Sequence, residues 1–295
     1  MKDLVSVIIP TYNRGTTLKR SIKSILTQSY SNFEILIIDD GSTDNTEKLV
    51  SEFNDNRISY FRTVDNLGAC AARNLGISKA KGNFIAFQDS DDEWFPEKLK
   101  VQLEFLLEKK CDFVYSLMER IIGNKKEIYP PLVPTDDLNL FSQLLYENSA
   151  STQTFLGKRE VFEYIKFDEK LPRFQDWEII LRISLKYNIK FIDRVLVKSY
   201  IQTDSISQNP NKAVLALNRI FNIYRDDILK NQKINLRFNI KIAEYMLANG
   251  DNPLEYYKNC LRLKFSFKLY IFYVLCILNL NKFLFKLKQI YFSLR

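Results

Sequence analysis

Apolar and polar positions alternate in short blocks over the first 120 residues. Val5–Pro10 and Phe33–Ile38 are compact apolar runs that predict buried strands. Between them, Thr16–Gln28 carries Leu18, Ile22, Ile25 and Leu26 at helical spacing. A polar helix is expected from Asp44, with Ser42 or Thr43 as its cap. Ile58–Arg62 reads as a third strand, Gly68–Lys79 as a helix and Phe84–Phe87 as a further strand. A helix then starts near Pro96, a residue favoured in a first turn, and Cys111–Met118 closes the series as a strand. This alternation predicts an α/β fold with a mostly parallel, doubly wound, Rossmann-like sheet.

The pattern loosens over residues 123–160, where Pro130, Pro131 and Pro134 mark a loop-rich connection. Asp176–Lys186 returns to helical spacing, Lys190–Tyr200 alternates as a strand, and the chain is helical after Asn211. A division follows: residues 1–210 as the α/β domain, with a donor-side half to about 120 and an acceptor-side half over 121–210, and 211–295 as a helical tail.

Charge sharpens the division. The chain of 295 residues carries a formal net charge of +8, and all of the excess lies in the tail. Residues 211–295 hold 15 Lys and Arg against 5 Asp and Glu, and from Lys258 onward there are eight basic residues and no acid. Leu269–Asn281 is uncharged and apolar, flanked by Lys264 and Lys268 before and by Lys282, Lys286 and Lys288 after. Thirteen residues are fewer than the ~20 of a spanning helix. Two readings stay open for residues 258–295: an interfacial segment drawn to anionic lipid, or an ordinary core helix. No RRM, helix-turn-helix or zinc motif accompanies the basic tail, so nucleic acid is not an expected partner.

The chain has no histidine, which excludes Ser-His-Asp triads and histidine zinc sites and leaves acid–base chemistry to Asp, Glu, Lys, Tyr or Cys. Cys70, Cys111, Cys260 and Cys276 form no CxxC pair and read as buried thiols in a reducing compartment. The first strand begins within five residues of Met1, which leaves no room for a signal peptide.

Three loops fall at the carboxyl ends of predicted strands, where open α/β sheets place ligands. They are Pro10-Thr11-Tyr12-Asn13-Arg14, Asp39-Asp40-Gly41-Ser42-Thr43-Asp44 and Gln88-Asp89-Ser90-Asp91-Asp92. An aromatic ring, a carboxylate pair and a crowded acidic cluster together suit a nucleotide whose phosphates are bridged by a hard divalent cation. Singly, each has a plainer reading: Asp-Gly-Ser is ordinary turn chemistry, Asp91-Asp92-Glu93 suits a helix start, and Asp176 suits a helix cap.

In their order and spacing these segments, with Gly68-Ala69-Cys70-Ala71-Ala72-Arg73-Asn74-Leu75-Gly76 and Gln88-Asp89-Ser90-Asp91-Asp92-Glu93-Trp94, resemble the family 2 glycosyltransferases. The similarity is strong over about 4–100 and weaker to about 208. It implies a GT-A fold and an inverting transfer of sugar from a nucleoside diphosphate, most often a UDP-sugar, to a glycan or lipid-linked acceptor. It also implies residue roles. Tyr12 and Asp40 are the base-binding pair, Pro10, Arg14 and Ser90 belong to the nucleotide-sugar pocket, and Arg73 lies near the phosphates. Asp89 and Asp91 match the DXD motif, with Asp89 toward ribose and Asp91 as the ligand for Mn²⁺ or Mg²⁺. Phe174-Gln175-Asp176-Trp177-Glu178 resembles the family's Glu-Asp-Trp pattern, which makes Asp176 the general base. Resembling proteins commonly build cell-surface polysaccharides, which implies a cytoplasmic protein at the inner face of the plasma membrane.

Two positions depart from the pattern. Gln175 stands where the family usually has Glu, and Gln202 stands where it often has His before Ser-x-Ser, beside the metal or diphosphate. They keep a second reading in view, a non-catalytic nucleotide-sugar-binding or scaffold protein of the same fold. A nucleotidyltransferase would carry a Gly-rich loop after the first strand, which Pro10-Thr11-Tyr12-Asn13 is not.

Overall fold

The first strand, β1 (Val5–Thr11), is buried at every position, as a central strand covered on both faces must be. In the computed structural model, which describes residues 3–130, 139–201 and 209–293, the elements that follow are α1 (Leu18–Leu26), β2 (Phe33–Asp39), α2 (Thr46–Ser51) and β3 (Ile58–Arg62). Next come α3 (Ala69–Lys79), β4 (Phe84–Phe87), β5 (Glu93–Trp94), α4 (Lys98–Glu108), β6 (Phe113–Ile122) and β7 (Lys125–Tyr129). Then come α5 (Leu140–Tyr146), a 3₁₀ turn (Thr152–Thr154), β8 (Leu156–Lys158), α6 (Arg159–Tyr164), α7 (Gln175–Ser184) and β9 (Ile189–Tyr200). Helices α8 (Pro210–Ile223), α9 (Arg225–Lys230), α10 (Gln232–Asn249), α11 (Leu254–Leu263), α12 (Phe267–Ile277) and α13 (Asn281–Ser293) complete the chain.

The sheet runs β3-β2-β1-β4-β8-β6-β9-β5, with β7 paired to β6. Strands β1–β4, β6 and β9 share one direction, and the short strands β5, β7 and β8 run against it. The mixed sheet is α/β and mostly parallel. One face of β1 (Val5, Val7, Ile9) packs with Leu18, Ile22 and Ile25 of α1 and Leu99, Leu103 and Leu106 of α4, each helix using an i, i+4, i+7 stripe. Alternation turns Ile8 to the opposite face, where α3 approaches so closely that a Cβ on Gly76 would lie 2.5 Å from Ile8 Cγ2.

Several local expectations are corrected. The polar helix begins at Thr46, not Asp44, and neither Ser42 nor Thr43 caps it; Asp44 Oδ1 accepts from the Thr46 N–H (3.0 Å). The helix near Pro96 starts two residues later, at Lys98. Residues 123–160 hold β7, α5, β8 and α6 as well as loops. The apolar run Leu269–Asn281 is not one segment: α12 stops at Ile277 and α13 starts at Asn281.

The chain divides into two compact units, one of residues 1–144, 148–169 and 175–202, the other of 145–147, 170–174 and 203–295. In the second, α10 is capped by Asn231, whose Oδ1 accepts from Lys233 N and Ile234 N, and ends at Gly250 in the left-handed region (φ +86°). Leu247, Tyr257, Cys276 and Leu284 bring α10, α11, α12 and α13 onto one core. All four cysteines are buried free thiols.

Candidate active site

Strands β1 and β2 end level, Thr11 opposite Asp39, and the loops beyond them are laced together. Asn13 N–H donates to Ser42 Oγ (2.8 Å), Asn13 Oδ1 accepts from Thr43 N (2.8 Å), and Asp44 Oδ2 accepts from Gly15 N (3.0 Å). Asn13 takes φ +50°, a left-handed conformation that Asn tolerates better than most residues. Pro10 fits inside a central strand because the β4 ladder leaves β1 after Ile8, so its missing N–H breaks no rung there. The lacing holds Tyr12 at the rim with 43% of its surface open.

The paired acids after β2 have separate work. Asp39 is buried, accepting from Ser42 N (2.8 Å) and from the Tyr60 hydroxyl. Asp40 is also buried; Oδ1 accepts from Leu67 N (2.9 Å) and Oδ2 from Gly68 N (2.7 Å), the residue that opens α3 at φ +92°. A carboxylate has about four lone-pair positions, so Asp40 retains acceptor capacity while it anchors the start of α3.

Arg73 follows in the second turn of α3. It is buried, and its Nη2 donates to Asp89 Oδ1 at 2.8 Å while its Nε has no protein partner. A buried guanidinium with unused N–H groups is suited to a further anion. Asp89 heads the segment after β4, where Ser90 is buried and Asp91 keeps part of its surface open. Burial and the neighbouring Asp89 push the Asp91 carboxyl up to about 6, against the pull of Arg14 and Arg20. Arg20 of α1 donates from Nη2 to the Asp91 carbonyl and lies over the Tyr200 ring, 3.7 Å from its centre.

Asp92 belongs to the frame. It is buried, Oδ1 accepts from Tyr200 N (2.9 Å) and Oδ2 from Gln153 Nε2 (2.8 Å). Burial, Asp89 and Asp91 all push its carboxyl upward. Among the described residues no three Asp, Glu or Cys side chains converge as a protein-only metal cage requires. Asp89 and Asp91 are the acids of this segment that keep part of their surface open, while Asp92 is closed off.

Asp176 sits in the first turn of α7, just after Phe174, whose φ of +61° is unusual for a bulky residue. Its Oδ1 accepts from Trp177 N (2.7 Å) and from Asn148 Nδ2 (3.4 Å), so it does serve the helix start. Trp177 fixes that turn: it is fully buried and its indole N–H donates to the Leu144 carbonyl at 2.6 Å. Burial pushes the Asp176 carboxyl up to about 6, Arg73 pulls it down and Asp89 pushes it up, so the three charged groups act on one another. The structure thus brings together Pro10, Tyr12, Arg14 and Asp40 on two laced loops, and Arg73, Asp89 and Asp176 within one electrostatic field. Gln202 lies outside the described residues. Asn148, Gln153, Arg20 and Tyr200 support the site without any motif that singles them out in the sequence.

The model of the family described as Glycosyl transferase family 2 matches residues 6–166 of this chain. The chain belongs to glycosyltransferase family 2. An uncharacterized glycosyltransferase of Haemophilus influenzae is 30% identical over 262 residues, covering 86% of this chain and 98% of the relative. An Escherichia coli protein named UDP-Glc:alpha-D-GlcNAc-diphosphoundecaprenol beta-1,3-glucosyltransferase WfaP is 32% identical over 254 residues, covering 84% of this chain and 94% of its own. An uncharacterized glycosyltransferase of Rickettsia conorii is 35% identical over 257 residues, and the chain spans 42% of that relative's length. Among solved structures, S. aureus TarS 1-349 in complex with UDP-GlcNAc superposes with a TM-score of 0.61 at 21% identity, over 92% of this chain and 79% of that one. The fold is that of the GT-A members of family 2.

Proposed function

We propose that this family 2 member is an inverting glycosyltransferase that moves a sugar from a nucleoside diphosphate donor, with UDP as the carrier, to an acceptor hydroxyl. The observation that carries the reading is the mutual influence of Asp176 and the Arg73–Asp89 pair. A carboxyl poised near neutrality in the field of a buried cation with spare donors supports a single displacement at a sugar carbon.

In this reading Tyr12 stacks on the base, Asp40 accepts from its N–H, and Asp89 accepts from the ribose. Arg73 and Arg14 hold the diphosphate as negative charge builds on it. Asp176 takes the acceptor proton as oxygen attacks the anomeric carbon from the side away from the diphosphate, which inverts its configuration. Asp91 is the carboxylate for Mn²⁺ or Mg²⁺, which when bound supplies Lewis-acid stabilisation of the leaving diphosphate. The diphosphoundecaprenol acceptor in the E. coli relative's name supports a glycan or lipid-linked acceptor, cell-surface polysaccharide synthesis, and placement at the cytoplasmic face of the plasma membrane.

The test is UDP release from a panel of UDP-sugars with Mn²⁺ or Mg²⁺, comparing wild type with Asp176→Asn and Asp91→Asn. Metal-dependent turnover that falls about 10²- to 10⁴-fold in Asp176→Asn supports the assignment. A variant as fast as wild type removes Asp176 from the chemistry. UDP binding without turnover on any donor favours the non-catalytic scaffold.

A further inference from the structure

Helix α12 is apolar nearly all round, yet only part of it is packed. Leu269, Phe272, Tyr273, Leu275 and Cys276 face the core shared with α10, α11 and α13. Phe267, Tyr270, Ile271, Ile277 and the following Leu278 are exposed. At about 100° per residue the exposed set falls on one arc of about 120°. The bare surface is therefore a single stripe, and Phe267 alone leaves 71% of its surface open. Beyond the break Leu280 is exposed too, as are Phe283 and Leu287 of α13, one turn apart.

Charge surrounds the stripe with one sign. Lys264 precedes it, Lys268 lies within α12 next to Phe267, and the exposed Lys282 and Lys286 lie beside Phe283 and Leu287, with no acid from residue 258 to the end. Lys288 marks the other side of α13, where it donates to Glu244 Oε1 (2.8 Å) and lies over Phe272. No described helix is long and apolar enough to cross a membrane, and the 11 residues of α12 extend about 16 Å.

We propose that the exposed stripe of α12, extended by α13, docks on the surface of an anionic bilayer, with its aromatic and aliphatic side chains among the acyl chains and Lys264, Lys268, Lys282 and Lys286 at the headgroups. An apolar arc flanked by cations matches a surface that is apolar beneath and negative on top. The proposal stands apart from the reading of the donor site.

The full chain is floated with phosphatidylcholine vesicles, with and without phosphatidylglycerol, at low and raised salt. The expected result is flotation with the anionic vesicles that weakens as salt is raised. Phe267→Ser with Ile271→Ser should weaken binding by about a hundredfold. Because both residues are exposed, its melting temperature and its stabilisation by UDP should match wild type. Lys264→Glu with Lys282→Glu should abolish the preference for phosphatidylglycerol. Absence of flotation, or equal flotation with both vesicles, overturns the proposal. So does a soluble dimer that the Phe267→Ser, Ile271→Ser chain no longer forms, because the stripe is then a contact between copies.

Discussion

Replacing Asp176 by Asn should make the protein more stable and much less active, and the stability gain should depend on pH in a fixed direction. Burial pushes the folded carboxyl up to about 6, against 3.8 for an unburied aspartate. The gap of about two units corresponds to roughly 3 kcal/mol, and to about 1.5–3 kcal/mol once the partly open surface of Asp176 is allowed for. Well below pH 3.8 both states are protonated and the cost is absent, and at pH 4 it is still small. As pH rises through 4 to 6 the unfolded chain ionises first, so folding loses stability, and the loss is complete above about 6. Asparagine carries no charge and can still accept from Trp177 N, so it escapes the loss. Melting should rise by roughly 3–10 °C at pH 7.5 and change little at pH 4. Scanning calorimetry at the two pH values, beside UDP-release rates, makes the comparison. A gain of equal size at both pH values, or a variant less stable at pH 7.5, would refute the claim that a desolvated carboxylate is held there. The wild-type rate should correspondingly climb with pH through an apparent pKa of about 6.

Three other outcomes follow from packing and burial. Gly76→Ala should cost about 1–3 kcal/mol, because the new Cβ meets Ile8, which is fully buried in the sheet; urea denaturation measures it. Gln153→Ala removes a donor from the buried Asp92 and should cost about 1–3 kcal/mol by the same assay. Lys98 is fully buried, donates to Gln102 Oε1 at 2.7 Å and is held by burial well below the usual lysine range. The unfolded chain then binds a proton that the folded one refuses, so stability should rise with pH through that range. Lys98→Met should flatten this rise, read from urea midpoints across a pH series.

Elements with a strong apolar rhythm were legible: β3 matches its expected span, and β1 and β2 each run one residue further. What the sequence hid depends on distant partners. Strand β8 is Leu156-Gly157-Lys158, too short and mixed to show a period, and exists because it bridges β4 and β6. β7 has one aliphatic residue, Ile128, and is held by its hairpin to β6. The motif residues were legible because they cluster at strand ends. Asp91-Asp92-Glu93 read singly as a helix start, but Glu93 opens strand β5 and Asp92 anchors Tyr200, 108 positions on. Asn148 and Gln153 sit in the loop-rich stretch and become visible only when folding brings them to Asp176 and Asp92.

The histidine-free composition gives the buried acids an unusual experimental use. In most proteins, proton exchange near pH 6 is dominated by imidazoles scattered over the surface. Here that background is silent, and burial pushes the Asp91 and Asp176 carboxyls up to about 6. Titrating donor or metal into the protein in buffers of different ionisation enthalpy would count the protons expelled at the site. The site's carboxyls could thus be followed together as one set, with no label attached.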